Sequence, residues 1–234
     1  MKSLIDNKII VAHQPQYFPY LELFNKILQS DSFVFLDDVK FKNSAWHART
    51  IIKNHEDHII QLTIPCSKKN GSSQNIKEIQ ISDDRWKRKH LKILETIYKN
   101  TENFNEIYQI VYEVISSNSK YLVDYTMPSM IKFLEKFNYP SDKIFIQSEG
   151  KKIEGDKTDF LVNLTKRFNG DEYLSGQGGR NYIDEKKFLD NNIIHKFNNF
   201  KNPSYSQIGK EFIDKLSIVD AAFNIGITDL KDKI

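Results

Sequence analysis

A chain of 234 residues with 39% hydrophobic and 28% charged side chains carries enough apolar material for a sizeable core, and its 16 Phe and 11 Tyr exclude a disordered composition. A net charge of +3, with Lys and Asp/Glu mixed throughout, gives no nucleic-acid-binding face but would not repel an anionic nucleotide. The single cysteine, Cys66, excludes an intrachain disulfide and a cysteine-cluster metal site; beside Leu62-Thr-Ile-Pro65 it reads as a small core residue.

Residues 8–12 read as a buried strand that runs into His13-Gln14-Pro15-Gln16-Tyr17-Phe18-Pro19-Tyr20, followed by a helix over about residues 20–30. Pro15 and Pro19 remove two backbone donors and fix φ, so this loop is expected to be stiff. Pro19 suits the first turn of a helix, where its missing N–H needs no partner. The apolar run at 9–12 is too short for a secretory h-region, and no stretch reaches the ~20 residues that span a bilayer. A cytoplasmic location without membrane insertion is therefore expected.

Ser32 to Leu36 reads as a second strand, covered on both faces, that ends at Asp37-Asp38. A right-handed crossover makes the two strands parallel neighbours and brings one of these acids toward His13. Ala45 to Lys53 and His58 to Pro65 form a predicted β-hairpin turning at Asn54-His-Glu-Asp57. A polar, basic loop at 67–73 and a further strand at 76–81 follow.

Residues 83–139 carry a helical pattern in three segments, with Pro128 expected to kink or split the third. This block is read as a helical insertion or subdomain, and 1–82 with 140–234 as the core domain. Alternation then resumes. A strand at Lys143–Ile146 precedes a helix capped by Asp156 and closed by Asn169-Gly170. Glu172–Ser175 is a strand leading into a Gly-rich loop. A short helix at 185–190, a strand at 193–197 and a last helix at 217–224 complete the chain. The fold class is α/β: a mostly parallel sheet with flanking helices, a β-hairpin excursion and a helical insertion.

The chemistry-bearing residues sit at predicted strand ends. His13 lies where open α/β sheets bind ligands, outside the carboxyl end of a strand, with Gln14 and Tyr17 beside it. Asp37 and Asp38 could serve as a general base, accept sugar hydroxyls or hold a divalent metal. Arg49 could pair with these acids or with phosphate, and Asn43 next to Trp46 could hold or stack a sugar or a base. Trp86 and His90 share one helix face, as part of a site or as a core-edge pair. In Ser175-Gly176-Gln177-Gly178-Gly179-Arg180, with Tyr182 close behind, three glycines let the backbone approach a ligand and its N–H groups cradle phosphate. The spacing fits neither a P-loop nor a nucleophile elbow, which argues against Ser175 as a nucleophile. His55, His58 and His195 have no ligand-like spacing and read as structural or exposed.

In chain order, His13 to Tyr20, Phe33-Val-Phe-Leu-Asp-Asp-Val-Lys-Phe41, Trp86 with His90, Tyr173-Leu-Ser-Gly-Gln-Gly-Gly179, Pro203-Ser-Tyr-Ser-Gln207 and Leu216-Ser-Ile-Val-Asp220 resemble the signatures of the WbqC-like protein family. These are bacterial proteins associated with surface-polysaccharide gene clusters. The strand, His loop, helix, strand order is also similar to that of nucleotidyltransferases, although their His-x-Gly-His has here neither its second His nor its Gly. Together with the strand-end residues, the family resemblance implies an enzyme of O-antigen or capsule (lipopolysaccharide-type) biosynthesis. The expected reaction is transfer of an acyl or aminoacyl group to the amine of a nucleotide-linked amino sugar. His13 would take the amine proton, Asp37 or Asp38 would orient it, and the Gly-rich loop would hold diphosphate or an oxyanion. The partners are then a nucleotide sugar and an acyl-carrier or thioester donor, with no fixed cofactor evident. One rival is an ATP–Mg²⁺-dependent enzyme that forms an adenylate or transfers a nucleotide, with the metal near Asp37 or Asp38. The other is a non-catalytic binding or scaffold protein of polysaccharide assembly.

Overall fold

The computed structural model describes residues 7–42, 46–67 and 74–234. They fall into two compact units: Met1–His13, Leu23–Leu36 and Pro140–Lys201 in the first, and Gln14–Glu22, Asp37–Tyr139 and Asn202–Ile234 in the second.

The first unit is built on a five-stranded sheet. Its strands are β1 (Ile9–His13), β2 (Ser32–Phe35), β5 (Ile144–Ile146), β6 (Glu172–Ser175) and β7 (Ile194–Phe197) in the order β5-β2-β1-β6-β7; the numbers β3 and β4 belong to the second unit's hairpin at Arg49–Lys53 and Ile59–Thr63. All four pairings are parallel, with Val11 opposite Phe33 and Tyr173 opposite His195. β1 and β2 are thus parallel neighbours, as the crossover rule predicts. Within the unit the spatial order is third, second, first, fourth, fifth. The progression reverses between β1 and β6, and such a reversal opens a crevice at the carboxyl ends of the two strands.

β1 and β2 carry apolar runs without alternation, and β6 is buried along its whole length, because helices cover the sheet. Ile10, Ala12, Val34 and Tyr173 pack in one cluster with Leu161 and Leu164 of the helix α5 (Lys157–Arg167). The sheet therefore closes over an apolar layer, and what remains for chemistry is its carboxyl edge. Asn169 ends α5 in the left-handed region at φ 50°, a conformation Asn adopts more readily than most residues. Gly170, next to it, is needed for space: a Cβ there would lie 2.2 Å from Ile10 Cγ1 and 3.0 Å from Thr165 Cγ2. Gly170→Ala is expected to destabilise the protein by about 1–3 kcal/mol through overpacking. Urea unfolding of this variant checks it, and an unchanged midpoint would contradict the tight approach.

The second unit holds that hairpin (β3 and β4), α2 (Arg85–Tyr98), α3 (Phe104–Ile115), α4 (Val123–Lys136) and α7 (Ile218–Lys231). α3 buries Ile107, Ile110, Val111 and Val114, the i, i+3, i+4 stripe of a helix packed on both sides. α4 runs through Pro128 without splitting. The strand expected at 76–81 is not formed. Ile76–Glu78 is a 3₁₀ turn, because the Glu78 carboxylate accepts the Asn75 N–H at 2.9 Å in a capping box. The basic loop expected at 67–73 falls, from Lys68 onward, outside the described residues.

The loop with two prolines is stiff for a reason the prolines do not supply. Phe18 is held in the left-handed region at φ 42°. Its N–H donates to Ser129 Oγ at 3.0 Å, and its carbonyl accepts the hydroxyls of Thr50 and Ser217, each at 2.8 Å. Three buried hydrogen bonds offset a strain of about 1–3 kcal/mol.

Candidate functional site

In the first unit, His13 is the last residue of β1 and Ser175 the last of β6, so both stand at the crevice where the strand order reverses. Leu36 N–H donates to the His13 carbonyl at 2.9 Å, continuing the ladder to the strand's final residue. The imidazole thus hangs from a fixed backbone rather than from a loop.

A third residue belongs to this edge and had no motif to announce it. Lys26, on α1 (Leu21–Leu28), is only 4% exposed. Its Nζ lies 3.5 Å from the Ala12 carbonyl and 3.9 Å from where a Cβ on Gly176 would sit. A mostly buried ammonium is costly unless something of opposite charge or dipole meets it. Here the charge stands against the last turn of both switch-point strands, a position from which it can bind an anionic group or stabilise a developing oxyanion.

The segment after β6 differs from the expected phosphate-cradling loop. Gln177–Asn181 is a 3₁₀ turn, and none of Gly176, Gly178 and Gly179 has a positive φ. Gly179 is required by packing, since a Cβ there would lie 2.8 Å from Ile183 Cδ1 and 3.4 Å from Ser175 Cβ. Gly178 faces open space and Gly176 faces the Lys26 ammonium. Arg180 stacks over the Phe197 ring at 4.2 Å and donates from Nε to Gln177 Oε1 at 2.7 Å, so it braces the turn. Tyr182 is exposed.

Two further side chains complete the edge. Ser175 Oγ lies 2.8 Å from His195 Nε2 on β7. Asn198, just past β7, takes the Ser175 carbonyl with its N–H at 2.7 Å, and its Nδ2 is a buried donor without an acceptor among the described residues. A buried amide left this way marks a place where a ligand or water supplies the partner. Of the two readings its spacing leaves, structural or exposed, His195 is not the exposed one: its side chain is buried.

In the second unit the remaining predicted residues separate. Tyr17 and His90 are buried, with the Tyr17 hydroxyl 3.1 Å from His90 Nδ1 and Trp86 packed edge-on to His90 at 5.1 Å. They form a core cluster, which corrects their assignment as substrate contacts. Burial, helped by the Lys89 charge and opposed by the Thr63 carbonyl, pushes the His90 pKa down to about 4. A lowered His pKa means that the unfolded chain takes up the proton first. Its contribution to stability is complete above the ordinary value near 6.5 and is lost as pH falls through about 4, amounting to about 3 kcal/mol at ~1.4 kcal/mol per unit. Urea midpoints at pH 7 and pH 4.5 should therefore diverge less for His90→Gln than for the natural chain. Equal divergence would show that His90 is not the acid-sensitive group.

Asp37 is buried, and its carbonyl accepts the Lys77 N–H at 2.9 Å. The Asp38 carboxylate is paired with Lys77 Nζ at 2.8 Å and accepts the Asn75 amide at 2.9 Å. Gln14 is half-buried, and Asn43 lies outside the described residues. Arg49 lines a cavity of about 310 Å³ with Gln16, Tyr20, Trp46 and Lys215, its guanidinium 5.4 Å from the Trp46 ring centroid. An exposed indole with two cations suits a planar or anionic ligand. Cys66 is half-buried, and burial pushes its thiol up to about 11, the inert end of thiol behaviour. Among the described residues no group of three His, Cys, Asp or Glu is arranged to hold a metal, and no helix is long and apolar enough to cross a membrane.

Residues 14–232 match the family model of the WbqC-like protein family. The chain is 26% identical over 220 residues to the uncharacterized protein Rv1507c of Mycobacterium tuberculosis, covering 94% of each chain. No solved structure matches it.

Proposed function

This chain belongs to the WbqC-like protein family, and from that premise we propose that it is an enzyme transferring an acyl or aminoacyl group to the amine of a nucleotide-linked amino sugar in bacterial surface-polysaccharide biosynthesis. The observation that carries this reading is the switch point of the first unit, flanked by His13 and Ser175, with the Lys26 ammonium against Ala12 and Gly176. A crevice of this type takes nucleotide ligands in open α/β sheets. His13 removes the proton that keeps the sugar's amine an ammonium, which frees its lone pair for attack on the acyl carbonyl. Lys26 pairs with the diphosphate or with the oxyanion that forms on that carbonyl. The donor is a thioester or acyl-carrier conjugate.

The same strand order favours a second reading, an ATP–Mg²⁺-dependent adenylation or nucleotidyl transfer, because phosphates of any nucleotide suit that crevice. Asp38 would bring little to it, as its carboxylate is taken by Lys77 and Asn75. A mass-spectrometric product assay separates the two. Purified protein is given nucleotide-linked amino sugars, amino acids, ATP–Mg²⁺ and thioester donors, with each omitted in turn. The expected result is an acyl mass on the sugar that requires the thioester and survives omission of ATP. A strict need for ATP–Mg²⁺, with AMP and pyrophosphate released, would replace the first reading by the second. No product in any mixture would favour a binding or scaffold protein.

A further inference from the structure

The Ser175–His195 pair has a third member. His195 Nδ1 makes no hydrogen bond among the described residues and lies 3.6 Å from Glu185 Oε2, at the start of the helix α6 (Glu185–Leu189). The imidazole is 2% exposed, stacked on Phe188 at 4.6 Å and 16° and edge-on to Phe197 at 4.6 Å and 82°. Its plane is therefore fixed, with one nitrogen on the serine and the other toward the carboxylate. Glu185 is 64% exposed, free to close the remaining distance by a rotamer change. Burial lowers the His195 pKa, as does Arg180, while Glu185 opposes them, so the ring is neutral and able to accept a proton near pH 7. A hydrogen bond that merely tied two strands together would need neither the carboxylate nor a site at the ligand-binding edge.

We propose that Ser175 is a nucleophile activated by His195 and Glu185, and that it carries the acyl group between donor and amine. The acyl-carrying step rests on the transferase reading above. Ser175 Oγ attacks the thioester carbonyl carbon and its proton passes to His195 Nε2. The C–S bond breaks, and the thiolate leaves with that proton as a thiol. The free amine then attacks the ester on Oγ and gives its second proton to His195. The C–Oγ bond breaks, and His195 returns that proton to Ser175.

A fluorophosphonate probe tests this without knowledge of the substrate, since it phosphonylates activated serines. The full chain should be labelled once, at Ser175 by peptide mapping, and Ser175→Ala should not be labelled. His195→Gln should slow labelling by about 10²–10⁴-fold, the range of a general base. Glu185→Gln, an exposed change that leaves the core intact, should slow it by roughly tenfold at least. No label on Ser175, or equal rates in both relay variants, overturns the proposal. The transferase reading falls separately. If the omission assay gives product while Ser175 stays unlabelled, only the covalent step is lost. If Ser175 is labelled but no thioester-dependent product forms, the nucleophile stands and its acyl acceptor must be sought elsewhere.

Discussion

His13→Ala is expected to lower thioester-dependent turnover by about 10²–10⁴-fold with little change in KM, the signature of a lost proton acceptor rather than a lost binding contact. The residue sits at the end of a strand whose other four residues carry the packing, so truncating it should cost no more than about 1–2 kcal/mol of stability, the value of one hydrogen bond. Two readouts separate chemistry from structure. Added imidazole should restore part of the rate to His13→Ala, because a small base can enter the space the side chain leaves. His13→Gln, which keeps a polar group of similar length, should stay as slow as the alanine variant. Turnover unchanged in His13→Ala would remove His13 from the reaction. A large fall restored by Gln would mean that it only holds the edge in shape.

The fold was legible where hydrophobic pattern alone decides it. β1 and β2 are built on apolar runs bounded by polar residues, and the expected strand Glu172–Ser175 is β6 with the same boundaries. The failed strand at 76–81 shows the limit of pattern reading: Asn75 and Glu78 satisfy each other locally and turn the chain before a ladder can form. The candidate site was half legible for a different reason. His13 and Ser175 lie next to Pro- and Gly-rich stretches, which announce themselves. Lys26 lies 13 residues beyond His13 inside an ordinary amphipathic helix, and His195 lies 20 beyond Ser175 in another strand. Only the parallel register, with Tyr173 opposite His195, brings the last pair together. One signal was available. In Ile194-His-Lys-Phe197 the period of two sets His195 on the face of Phe197, opposite the exposed Ile194 and Lys196, and an inward His needs a partner. Trp86 and His90 stand open between a site and a core-edge pair in the sequence, and the structure packs both with Tyr17 in a core, where the Tyr17 hydroxyl meets His90.

The largest expected loss of stability comes from Asp220, in the first turn of α7, which is 0% exposed. Its carboxylate accepts the Tyr98 hydroxyl at 2.5 Å and the Tyr205 hydroxyl at 2.9 Å, and the buried Lys53 lies close enough to favour its charge. Burial nevertheless raises its pKa, and the two tyrosines and Lys53 offset only part of that. Asp220→Ala strands the Tyr98 hydroxyl in a stacked pair with Phe223 at 4.4 Å and removes a counter-charge from Lys53. Leaving such groups uncompensated costs about 3–5 kcal/mol, which for a chain of this size lowers Tm by about 6–20 °C. Asp220→Asn keeps the shape and one acceptor and should lose about 1–2 kcal/mol. The sign with pH follows from the raised pKa. The folded carboxyl holds its proton above the ordinary value near 4, so the aspartate's contribution is complete below that value and declines as pH rises through the folded one. The stability gap between the natural chain and Asp220→Asn should therefore narrow with rising pH. A gap that widens instead would mean that the Lys53 charge, not burial, governs this aspartate.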